Sequence, residues 1–127
     1  MLHHVSLGVS DLERAAAFYD AVLGVLGYVR VWSDATAVGY GQVAGEDRLA
    51  IKARGADAAP PGAGFHLAFA APDRAAVLKF HAAALGHGGR CNGAPGLRPE
   101  YGPNYYAAFV VDPDGHRIEA VINARQP

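Results

Sequence analysis

The chain contains one passage twice, and that duplication limits its possible folds more than any other feature. When His4 is laid on His66, residues 4–27 align with residues 66–89. Asp11 then meets Asp73, Phe18 meets Phe80, and the pair Leu23-Gly24 meets Leu85-Gly86. Ala21 with Ala83 and Gly27 with Gly89 fall into the same register. Self-similarity at a fixed spacing marks a structural unit used more than once.

Each copy reads locally as a strand followed by a helix. In residues 3–9, Val5, Leu7 and Val9 alternate with His4, Ser6 and Gly8, the two-residue period of a strand with one buried face. Phe65, Leu67 and Phe69 alternate with His66, Ala68 and Ala70 in the same way. The first helix is expected from Ser10, which has capping-box spacing to Glu13, and is expected to stop at Gly24. It carries Leu12, Ala15, Phe18 or Tyr19, Val22 and Leu23 on one stripe. The second is expected from about Pro72 to Gly86. Three further strands follow each helix, at about 27–33, 36–43 and 47–53, then 88–92, 105–111 and 116–122. The segment GADAAPPGAG at 55–64 is a connector. The expected fold is α+β: paired βαβββ modules whose curved sheets form a half-barrel around a central cavity. Module one covers about 1–54 and module two about 65–124 of a single domain, 1–127.

Apolar residues take the helix-facing side of each first strand. Each histidine is therefore left among small residues, as in a lined cavity. In HRIEAVI, Ile118, Ala120 and Ile122 form one face and Arg117, Glu119 and Val121 the other, after a DPDG turn. A carboxylate in mid-strand is rare unless paired or metal-bound. His4, His66 and Glu119 make a two-histidine, one-carboxylate set with open positions for a divalent metal.

These passages are similar to the vicinal oxygen chelate superfamily, which includes glyoxalase I, extradiol dioxygenases, fosfomycin-resistance enzymes and bleomycin-resistance proteins. HVSLGVSDLERAAAFYDAVLG, HLAFAAPD and DPDGHRIEAV carry the resemblance over nearly the whole chain. It implies metal ligands at His4, His66 and Glu119 and a homodimer. It also implies a substrate that chelates one divalent ion (Fe, Mn, Zn, Ni or Co) through vicinal oxygens. The family's fourth ligand position is Glu or Gln in glyoxalase I. Matching Ile51 to Ile118 puts Lys52 there instead, opposite Glu119. A protonated lysine cannot coordinate, and at about 5 Å a divalent ion would repel it by several kcal/mol. Glyoxalase I is thereby disfavoured. Metal-dependent lyase, isomerase or ring-cleaving dioxygenase chemistry stays open. So does a non-catalytic binding or resistance protein with a Lys52–Glu119 pair in a metal-free cavity.

A long loop is expected at 92–106, with Arg98, Tyr101, Tyr105 and Tyr106. Arg98 and Tyr105, with Lys52 and Trp32, are candidates for substrate contacts, and Tyr40 is a second candidate wall. Tyr101 and Tyr106 are candidate acids or hydrogen-bond donors beside Glu119. His3 is expected at the surface, His81 and His87 in solvent, and His116 in a structural role. The lone Cys91 has no internal disulfide partner. A formal net charge of −1 with no basic cluster argues against nucleic acid and anionic membranes. The start has no basic-then-apolar leader pattern, so a soluble cytoplasmic protein is expected.

Overall fold

The computed structural model describes residues 1–125 and gives the two halves the same element order. The first contains β1 (Val5–Val9), α1 (Leu12–Gly24), β2 (Val29–Ser33), β3 (Ala37–Gly41) and β4 (Asp47–Ala53). The second contains β5 (Leu67–Ala70), α2 (Arg74–Gly86), β6 (Arg90–Leu97), β7 (Tyr105–Val111) and β8 (Arg117–Asn123). Each half forms its own four-stranded mixed sheet, ordered β1-β4-β3-β2 and β5-β8-β7-β6. The first strand lies parallel to the last in both. The α+β architecture of two unclosed curved sheets is the expected one.

The repeat-matched aspartates explain where the helices begin. Asp11 accepts a hydrogen bond from the Arg14 amide and Asp73 from the Ala76 amide, each satisfying an N–H that has no partner within the helix. The cap is thus Asp11 rather than Ser10, and the second helix starts at Arg74 rather than near Pro72. The Ser10 amide and hydroxyl both donate to Asp114 of the β7–β8 turn instead. Gly24 and Gly86 are the last helical residues. The left-handed backbone that ends each helix falls later, at Gly27 (φ 96°) and Gly88 (φ 91°).

One continuous core joins the halves. Phe18, Tyr19, Val22 and Leu23 of α1 share it with Val77 and Phe80 of α2 and with Val110 and Ile118 of β7 and β8. Gly89 sits where a Cβ would lie 2.8 Å from the Phe18 ring, so only glycine fits beneath that ring. The DPDG turn ties the halves further. Asp112, 3% exposed, accepts from the Tyr19 hydroxyl at 2.6 Å and from the amides of Asp114 and His116. Burial, then Asp112 itself, pushes the Tyr19 phenol well above its ordinary value. His116 donates through Nε2 to the Gly8 carbonyl of β1, the structural role expected of it. Tyr40, read from sequence as a cavity wall, is buried in this core and bonds Asp20 and the Ala16 carbonyl.

The expected loop at 92–106 is shorter in the structure. β6 runs to Leu97 through Pro95, leaving residues 98–104 to connect it to β7. An edge strand tolerates proline because one of its sides needs no ladder hydrogen bond, and β6 is an edge. Its register shifts at Cys91–Gly93 and Gly93–Gly96 weaken the alternation that would have revealed it.

Candidate functional site

Glu119 is the centre of the site. Strand β8 carries it beside Ala68 of β5 and Phe109 of β7, on the face away from the helices. It is 1% exposed, and both oxygens are engaged. His66 Nε2 lies 2.8 Å from Oε1, and the Tyr105 hydroxyl donates to Oε2 at 2.5 Å. Burial, then the Glu119 carboxylate, pushes the Tyr105 phenol up to about 12. It therefore stays protonated and donating throughout the physiological range. The Tyr101 ring meets Tyr105 edge-on at 5.2 Å.

These groups open onto a cavity of about 720 Å³. Phe65, Phe109, Tyr101 and Tyr105 provide aromatic walls, and Asn92, Glu100 and Arg117 provide polar ones beside His66 and Glu119. All of its lining lies at or beyond Ala63, so this cavity belongs to the second half rather than to a space shared by both sheets. His66 presents an open flank, its side chain 54% exposed.

His66, Glu119, Tyr101 and Tyr105 therefore lie together at one cavity, and the other candidates do not. His4 is exposed at the start of the first sheet, its Nδ1 2.9 Å from that of His3, which bonds Glu46. Among the described residues no three His, Cys, Asp or Glu side chains are grouped to hold a metal. Tyr106 turns to the helix side of β7, as strand alternation requires of Tyr105's neighbour, and its ring lies under Arg74 at 4.9 Å. Arg98 stacks on Phe109 at 5.3 Å and donates to the Ala94 carbonyl, so its guanidinium is folded along the β6 edge. Trp32 lies against Gly39 in the first sheet, where any Cβ would clash with the indole. His87 is exposed as expected, whereas His81 Nε2 is buried and unpartnered among the described residues.

The strand register revises the position of Lys52. Two residues past His4, Ser6 pairs with Ala50; two past His66, Ala68 pairs with Glu119. The counterpart of Glu119 is thus Ala50. Lys52 pairs with Gly8, one dipeptide further along, and forms no ion pair among the described residues. The Lys52–Glu119 pair is not formed: Lys52 stands beside Gly8 in the first sheet, and Glu119 bonds His66 and Tyr105 in the second. Matching the two isoleucines by residue type misplaced the register by two.

Sequence reasoning passed over Phe65, Asn92, Glu100, Phe109 and Arg117 as cavity residues. Alternation predicts the helix face for Phe65, but the residue precedes β5, just after a turn ending at Gly64 (φ 94°). The signal for Arg117 was present: it shares the Glu119 face of β8.

The family model of the Glyoxalase/Bleomycin resistance protein/Dioxygenase superfamily matches residues 1–120. The chain belongs to that superfamily, the vicinal oxygen chelate group. A glyoxalase/bleomycin resistance protein from Albidiferax ferrireducens T118 is 38% identical, with a TM-score of 0.80 over 95% of this chain and 97% of that one. Two more distant structures share the fold. The fosfomycin resistance protein FosX from Mesorhizobium loti is 20% identical, with a TM-score of 0.68 over 98% of this chain and 92% of that one. A glyoxalase I mutant from Zea mays is 24% identical, with a TM-score of 0.69, and this chain spans 46% of its length. No curated protein matches the chain.

Proposed function

We propose that the chain is a divalent-metal-dependent enzyme acting on a small substrate with two adjacent oxygens, by lyase, isomerase or ring-cleaving dioxygenase chemistry. The observation that carries this reading is the convergence of His66 and Glu119 at 2.8 Å on one wall of an aromatic cavity. An imidazole and a carboxylate suit iron, manganese, zinc, nickel or cobalt. Among the described residues one chain brings these two donors together and no third; in this reading His4 of a second copy, in a homodimer, supplies it. Ala50 in place of a fourth ligand argues against glyoxalase I, as Lys52 did on the sequence alone.

Bound there, a divalent ion supplies Lewis-acid polarisation of the paired substrate oxygens. The chain's own residues do the rest. Tyr105 fixes the orientation of Glu119 and keeps a proton at its hydroxyl. Phe65, Phe109 and Tyr101 shield the substrate from water, which strengthens every charge interaction inside. The protein is read as soluble and cytoplasmic; among the described residues no helix is long and apolar enough to cross a membrane.

The competing reading is a non-catalytic binding or resistance protein. It draws on the fact that both Glu119 oxygens have partners without a metal. Reconstitution with each of the five metals, followed by metal analysis, separates the two. The wild type should retain metal, while His4→Ala, His66→Ala and Glu119→Ala should each lose it. Mixing His4→Ala with Glu119→Ala chains should restore one intact site in every mixed dimer. A wild type that retains none of the five metals would overturn the enzyme reading.

A further inference from the structure

Among the described residues, Arg117 is the one lysine or arginine side chain that lines the cavity. It shares the Glu119 face of β8, two residues away, and it stands abreast of the residue before Leu67, which is His66. Its side chain is exposed, and among the described residues its guanidinium makes no ion pair. The other arginine near this cavity, Arg98, already donates to the Ala94 and Leu97 carbonyls over Phe109. Arg117 therefore keeps its donors free while standing next to the catalytic pair.

We infer that Arg117 is the specificity-determining residue of this site and that it selects a planar, aromatic monocarboxylate. A guanidinium presents two parallel N–H donors that match the two oxygens of a carboxylate. Four aromatic rings around the cavity favour a flat, apolar body. Glu100 also lines it, so a second negative charge on the ligand, as in a phosphate monoester, is disfavoured against a monocarboxylate. The Arg117 guanidinium and the aromatic walls together suit one compact carboxylate on a ring.

This inference rests on the metal-enzyme reading only for its place beside His66 and Glu119, and its test is read separately. Calorimetric titrations of the wild type and of Arg117→Gln use benzoate, phenylacetate and 2-naphthoate, their primary amides, and phenyl phosphate. Metal content and the melting temperature are measured on the same samples. The wild type is expected to bind the carboxylates at least about tenfold more tightly than the amides. Arg117→Gln should abolish that preference while leaving amide binding, melting and metal content unchanged, and Arg117→Lys should restore part of it. Equal binding of carboxylates and amides by the wild type would overturn the inference, as would phenyl phosphate binding best or an unchanged preference in Arg117→Gln. Loss of metal from the wild type alone would count against the enzyme reading and leave the carboxylate preference standing.

Discussion

Glu119 works through two neighbours that treat it differently. His66 leaves one flank open to the cavity, while Tyr105 closes the other with a bond of 2.5 Å. The sign of the Tyr105 contribution follows from its phenol, raised to about 12 against an ordinary value near 10. Below pH 10 the phenol is protonated whether the chain is folded or not, and this contact's stabilisation is fully present. Between about pH 10 and 12 the unfolded chain releases that proton and the folded chain does not, so stability falls as pH rises. Tyr105→Phe should therefore flatten the alkaline loss of stability, measured by urea unfolding at a series of pH values. In the folded protein it should also remove one phenolic ionisation near pH 12 from the ultraviolet titration. Tyr106→Phe serves as the control, since its ring lies under Arg74 on the opposite face, away from Glu119.

The helices and the turn before β8 owe their positions to three aspartates. Asp73→Ala removes the acceptor for the Ala76 amide and should cost about 1 kcal/mol in chemical denaturation, as N-cap losses generally do. Asp112→Ala should cost more, about 2–4 kcal/mol, because it strands the Tyr19 hydroxyl and two turn amides in a buried place. Element order and type were legible from sequence, because alternation in VSLGV and the matched aspartates are local signals. The length of β6 was not: Pro95 and the bulges around Gly93 and Gly96 mimic a loop, and only pairing with β7 makes that stretch a strand. Within the site, Glu119 and His66 were legible because a charge in an apolar strand and a repeated histidine stand out. The position of Lys52 was not, since parallel register is set by contacts between distant strands. Arg98 was equally opaque, because nothing local shows a guanidinium folding back onto its own strand.

The halves are coupled through Phe18 beneath Gly89, Tyr19 on Asp112, and Ser10 and Arg14 on Asp114. The chain should therefore unfold in one cooperative step, and segments 1–58 and 59–127 expressed apart should lack cooperative melting. Gly89→Ala should lower stability by about 1–3 kcal/mol through overpacking at that contact, read from the denaturation midpoint. The pairing of Ser6 with Ala50, where the other half pairs Ala68 with Glu119, has a consequence for stoichiometry. One sheet holds Glu119 beside His66, and its twin holds Ala50 at the matching position. Ligand capacity should accordingly count chains rather than modules, and the silent module is the natural place to install a second, independently tuned pocket, beginning with Ala50→Glu.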